Sequence, residues 1–126
     1  MPGLLIVNPR ASGVDEPRLA AVLAALPPGT RAVRTGTAGE ATTLARAAAG
    51  REDAVYVFGG DGTFNEVLNG IDARTPVGLI PGGGTSVLPR ALGLPRDPVA
   101  AARAVAGGRP RRIGLGRANG RRFGFA

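Results

Sequence analysis

Apolar residues run unbroken through Leu4-Leu5-Ile6-Val7, stop at Asn8-Pro9, and return as Ala54-Val55-Tyr56-Val57-Phe58. Such runs suit strands covered on both faces, as in a parallel sheet. Between them the period changes. Leu19, Val22, Leu23 and Leu26 recur at i, i+3, i+4 and i+7, which predicts a helix over 16–26, stopped by Pro27-Pro28-Gly29. Arg31-Ala32-Val33-Arg34 alternates and predicts a strand nearer the sheet edge. A second helix is predicted over about 39–49, ending at Gly50, a third over about 63–70, and a fourth strand at Val77-Gly78-Leu79-Ile80. Asp97-Pro98 reads as an N-cap with Pro at the first helical position, opening a helix that ends at Gly107-Gly108. Arg112–Leu115 and Arg122–Phe125 flank Asn119-Gly120, a hairpin turn signal. Strands alternating with helices predict an α/β, Rossmann-like three-layer domain with a mostly parallel sheet over residues 1–110, and a C-terminal β-hairpin over 111–126.

Composition narrows the chemistry. A chain of 126 residues has room for one core, and with 4% aromatics that core must be built from Ala, Leu and Val. No apolar run approaches the ~20 residues that span a bilayer. Met1-Pro2-Gly3-Leu4 lacks the charged start of a signal peptide, so the cytoplasm is the expected compartment. There is no Cys, hence no disulfide or thiolate metal site. There is no His, which excludes His-based triads and most zinc sites. All sixteen basic residues are Arg, which excludes a phosphate-loop lysine and any Schiff base. Phosphate chemistry would have to use backbone N–H groups, Arg, carboxylates and metal ions. The charge is uneven. Residues 1–89 carry seven Arg and eight acids, whereas residues 90–126 carry nine Arg and one acid, Asp97. One reading is a solvated face; the other is an anionic partner such as polyphosphate, acidic lipid headgroups or nucleic acid. No nucleic-acid motif is present, and only Phe123 and Phe125 interrupt the basic third, which argues against the last of these.

The sharpest local pattern is Val57-Phe58-Gly59-Gly60-Asp61-Gly62-Thr63-Phe64-Asn65-Glu66. A buried strand runs into a glycine-rich turn that opens a helix. Ligands of open α/β sheets bind at the carboxyl ends of strands, and a helix N-terminus offers free N–H groups to phosphate. Asp61 is the odd member, because a bare carboxylate repels phosphate. It makes sense beside a divalent metal or a hydroxyl donor, or else as a local cap in a tight turn. Thr63 and Glu66 have the spacing of a capping box, in which case Glu66 would be purely structural.

Gly59 to Glu66 resembles the GGDGT-x-NE signature of the diacylglycerol kinase catalytic domain family. That family includes bacterial lipid kinases and sphingosine kinases, and is distantly related to NAD kinases. Asn8-Pro9-Arg10-Ala11-Ser12-Gly13 is similar to its NP-x-SG segment, Thr35-Gly36-Thr37-Ala38-Gly39-Glu40-Ala41 to the segment after its second strand, Pro81–Ser86 with Leu92-Gly93-Leu94-Pro95 to its PxGTxND…LGxP segment, and Arg117–Arg121 to its linking hairpin. The resemblance implies an N-terminal nucleotide-binding domain that uses ATP and Mg²⁺. It implies that Gly59, Gly60, Asp61, Gly62, Thr63 and Asn65 cradle the phosphates. Asp61 would stand near the transferring γ-phosphate and its metal, Thr35 would touch the nucleotide, and Asn8 would shape the pocket. Gly83, Gly84 and Thr85 would add phosphate donors, although this segment departs from the family: its usual Thr falls on Gly84, its usual Asn on Ser86, and Pro89 replaces a common Ala. The product of the reaction would be a phosphorylated, diacylglycerol-like lipid, made by an enzyme peripheral to the inner membrane face. The family's second, β-rich domain, with its lipid site, general base and metal-organising acids, would follow the hairpin, so this chain alone is expected to be inactive. Phe123 and Phe125 alternate onto one face, which predicts a homo-oligomer formed through residues 111–126. Alternatives are an NAD kinase, in which the Asn-Glu pair lies in a later segment, and a non-catalytic nucleotide-binding module.

Overall fold

A computed structural model describes residues 2–72, 74–82 and 87–108, together with the backbone of 114–118 and 121–125. Four parallel strands form its sheet: β1 (Leu4–Val7), β2 (Arg31–Arg34), β3 (Val55–Gly59) and β4 (Val77–Pro81), in the order β2-β1-β3-β4. Every residue of β1 and β3 is buried, as their unbroken apolar runs require. β2 lies at the edge, and its alternation is explained there. The outward Arg31 and Arg34 pair with Glu52 and Glu16, which charges the open edge against further strand pairing.

Helices cover both faces. α1 (Glu16–Ala25) and α5 (Pro98–Gly107) pack on Leu5, Val7, Tyr56, Phe58 and Ile80. α2 (Glu40–Ala48) and α3 (Asp61–Gly70) pack on Leu4, Ile6, Val55, Val57 and Leu79, and the short α4 (Val87–Ala91) adds Leu88 to that side. Alternate strand residues serve opposite faces, so the expected three layers are present. The aromatic exceptions, Phe58 and Phe64, are fully buried, one on each side. Gly70 lets α3 approach α2 closely, since a Cβ there would collide with the Thr42 carbonyl oxygen.

The helix starts show which local signals operate. Asp15 Oδ1 accepts from Arg18 N at 2.8 Å, and Asp97 Oδ2 accepts from Ala100 N at 2.9 Å with Pro98 in the first turn. Pro89 falls in the first turn of α4, where its missing N–H costs nothing. α3 begins two residues earlier than the expected 63, at Asp61, with Gly60 as its N-cap and no side-chain cap bond. The Thr63–Glu66 capping box is therefore absent, because both residues stand inside the helix rather than across its start. β5 (Gly114–Ala118) and β6 (Arg121–Phe125) pair antiparallel, Gly114 opposite Phe125 and Ala118 opposite Arg121. The predicted Asn119-Gly120 turn and the Phe123 and Phe125 side chains lie outside the described residues. Among the described residues, no helix is long and apolar enough to cross a membrane.

Candidate functional site at the carboxyl ends of the strands

Because the sheet is parallel, the residues that follow its strands gather on one edge: Asn8 after β1, Thr35 after β2, Gly60 after β3 and Gly82 after β4. The strand order reverses between β1 and β3, which is where open α/β sheets form their ligand crevice. Asn8 and the glycine turn flank that point. Asn8 Nδ2 donates across it to Thr63 Oγ1 at 3.1 Å, joining residues 55 positions apart. Asn8 Oδ1 accepts from Arg10 N at 3.0 Å, so the same side chain also shapes the turn after β1.

The glycine turn divides into two kinds of glycine. Gly59 is buried, and a Cβ there would press on Thr63 Oγ1 at 3.1 Å and Asn8 Cβ at 3.3 Å. Gly82 N donates to Gly59 O at 2.7 Å, Gly13 N donates to Gly82 O, and a Cβ on Gly82 would meet Val14 Cγ2 at 2.7 Å. These glycines stitch the ends of β1, β3 and β4 together. Gly60 and Gly62 differ: a Cβ on either would meet nothing within 4 Å. Gly60 is extended at φ −106°, and neither is among the glycines with positive φ. The fold itself demands no glycine at these two positions. A bare backbone in open space at the start of a ten-residue helix leaves its N–H groups accessible to an anion.

Asp61 is committed within the chain. Its Oδ2 accepts from Val87 N at 2.8 Å and its Oδ1 from Leu88 N at 3.2 Å, so its carboxylate caps α4, the next helix along the chain. This bond also places the end of the Pro81–Ser86 segment beside the glycine turn. Asp61 keeps a second lone pair on each oxygen. No group of three or more His, Cys, Asp or Glu able to hold a metal is found among the described residues. A lone, already bonded carboxylate does not make a resident metal cage. It fits a cation that arrives already carried by phosphates.

The remaining expected residues divide. Thr35 stands at the same edge, with its N and Oγ1 both donating to Val7 O, at 2.8 and 3.3 Å. Asn65 lies on α3, half-buried, two residues past Thr63. Gly83, Gly84 and Thr85 lie outside the described residues. Sequence reasoning gave no role to Arg10 and Glu40 and read Glu66 as half of a capping box, yet all three brace the 35–39 loop. Arg10 Nη2 donates to Gly36 O at 3.1 Å, Glu40 Oε1 accepts from Gly36 N at 3.0 Å, and Glu66 Oε1 accepts from Gly39 N at 2.8 Å. Beside the end of β4, a cleft of about 350 Å³ is lined by Gly13, Pro81 and Leu94 and by three arginines, Arg18, Arg90 and Arg96, with no acid among the described residues of its lining.

A turn of this shape at a switch point is found in more than one phosphate-handling family, and comparison separates them. The sequence profile of the family described as "Diacylglycerol kinase catalytic domain" matches residues 2–118. The chain belongs to the diacylglycerol kinase catalytic domain family. It is 47% identical over 94 residues to a diacylglycerol kinase of Bacillus subtilis (strain 168), a match covering 71% of this chain and 31% of that protein. It is 40% identical over 98 residues to one of Staphylococcus saprophyticus, covering 75% of this chain and 32% of that protein. The fold agrees with a crystal structure of a diacylglycerol kinase from Bacillus anthracis str. Sterne, at TM-score 0.84 and 34% identity, over 95% of this chain and 43% of that one. The matched span is thus about a third of the length of these curated relatives.

Proposed function

We propose that these residues form the nucleotide-binding part of a lipid kinase that transfers the γ-phosphate of ATP to a hydroxyl of a diacylglycerol-like lipid. The carrying observation is the pair Gly60 and Gly62. Both stand in open space at the switch point and both have ordinary backbone angles; Gly60 is the N-cap, where glycine is tolerated, but Gly62 lies within the helix, where glycine costs roughly 0.5–1 kcal/mol against Ala. Close approach of a polyphosphate supplies the reason that packing does not. Gly59 holds the turn, the α3 N–H groups meet the phosphates, and Asn8 and Thr63 close the floor between β1 and β3. Mg²⁺, when bound, supplies charge neutralisation on the phosphates. Asp61, anchored by the α4 N–H groups, would help to hold that ion on the γ-phosphate side of the site. Arg90 and Arg96, beside an Arg18 that is paired with Asp15, give the neighbouring cleft the positive charge that suits an anionic ligand or an acidic membrane surface.

In this reading, the lipid pocket and the group that deprotonates the lipid hydroxyl come from outside residues 1–126, as the greater length of the relatives, of which the match covers 31% and 32%, allows. Residues 111–126 link to that second, β-rich domain or pair with another copy. The test is phosphate transfer from ATP with Mg²⁺ to diacylglycerol in mixed vesicles, by the longest reading frame containing these residues and by the 126-residue chain. The longer product phosphorylates the lipid and the chain alone does not. Robust activity of the chain alone overturns the two-domain reading, and inactivity of both overturns the substrate.

A further inference from the structure

The loop between β2 and α2 borders the mouth of the site on the side of β1 away from the glycine turn. Of the three residues that brace it, Arg10 belongs to the loop after β1 and Glu40 to the first turn of α2 itself. Glu66 alone reaches it from α3, the helix that the glycine turn opens. Its target is specific. Gly39 is the N-cap of α2, it is left-handed at φ +84°, and no side chain caps that helix. Without Glu66 its N–H would face water, at an exposed helix end whose partial positive charge favours a carboxylate. Thr42 Oγ1 donates to Glu66 O at 2.7 Å and fastens the same junction from the α2 side. The Glu66 side chain is half-buried and its bond to Gly39 N lies at the surface, so its hold comes from charge at the helix start rather than from exclusion of water.

We propose that Glu66 is a positioning residue. Through the Gly39 N–H it fixes residues 36–39 against α3, so that the two rims of the nucleotide crevice are set before ligand arrives. The inference rests on the nucleotide reading above. A loop that must be ordered during binding draws its entropy cost from affinity, whereas a loop already fixed does not. Without the carboxylate, the Thr42 bond to Glu66 O still joins the two helices, but among the described residues no side chain on α3 holds Gly39. Gln keeps an acceptor oxygen at the same reach and retains most of the hold; Ala removes it.

Two measurements on this chain separate the possibilities: amide exchange at Gly36–Gly39 without ligand, and the ATP–Mg²⁺ dissociation constant. Glu66→Ala raises exchange at Gly39 and weakens ATP about tenfold, the scale of one charged hydrogen bond, while Glu66→Gln stays within about threefold of wild type. Unchanged exchange at Gly39 in Glu66→Ala overturns the proposal. So does faster exchange with unaltered ATP affinity. Equal loss of affinity in both variants with unaltered exchange also overturns it, since that marks a carboxylate touching the nucleotide directly. If wild type binds no ATP, the proposed function falls, and the hold on the loop is decided by the exchange data alone.

Discussion

The two ends of the sheet use glycine for opposite reasons. At the amino end, Gly3 precedes β1, and a Cβ there would collide with the Ala54 carbonyl oxygen. Gly50 turns the chain after α2 at φ +76°. Its N–H donates to Thr75 Oγ1 at 3.1 Å, and Thr75 is in turn held by Asp72. Each of these glycines is accounted for by a contact or an angle. At the carboxyl end, Gly59 and Gly82 are likewise required by close packing, but Gly60 and Gly62 are required by neither space nor conformation. One end is closed by its own hydrogen bonds; the other keeps backbone bare at a helix start. Stability is built at the first, and recognition is left room at the second.

Four substitutions sharpen or break that contrast, in decreasing order of effect. The largest belongs to Asp61. In the longest reading frame containing these residues, Asp61→Asn lowers turnover by orders of magnitude, since charge stabilisation through a phosphate-bound metal is worth several kcal/mol. The amide still accepts one N–H from α4, so the melting shift stays near the ~1 kcal/mol of a single hydrogen bond. Turnover and thermal unfolding measured together decide it, and a variant that melts far lower with proportionate activity marks Asp61 as a cap only. Next comes Gly3→Ala, which destabilises by roughly 1–3 kcal/mol in a urea titration, as overpacking against backbone does.

Gly62→Ala reverses the sign. It leaves stability unchanged or raises it by up to ~1 kcal/mol, while the methyl group obstructs the approach of phosphate and weakens ATP binding. A destabilised Gly62→Ala protein erases the distinction between the two ends. The smallest effect is at Asp72. Hydrogen bonds from the Thr75 hydroxyl and N–H, and from Arg74 N, hold its carboxyl below the ordinary carboxylate range. A depressed folded-state value stabilises above the unfolded value and is lost as pH falls through the folded one. Asp72→Ala therefore melts below wild type at neutral pH, and the gap narrows as the solution is acidified below about pH 4. A pH-independent gap contradicts that origin.

The architecture was largely legible in the chain because its signals are local. The unbroken apolar runs of β1 and β3 suit strands covered on both faces, the charged alternation of Arg31–Arg34 suits an edge, and Asp97-Pro98 opens α5 as its chemistry dictates. The site was legible in outline, since a glycine turn after a buried strand points to the carboxyl edge. What escaped were contacts between residues distant in sequence. Thr63 and Glu66 carry the spacing of a capping box, but Asn8 claims the first from 55 residues away and Gly39 the second from 27. The Asp61 carboxylate likewise caps a helix that begins 26 residues later. A local rule lost each time to a partner that only the folded sheet brings near.

The central claim is that the bare glycine turn receives the phosphates of ATP. Calorimetric titration of this chain with ATP–Mg²⁺ and, separately, with NAD tests it most directly. The account predicts saturable ATP binding, tighter than NAD and weakened in Gly62→Ala. NAD binding as tight as ATP or tighter, or ATP binding indifferent to Gly62→Ala, contradicts it.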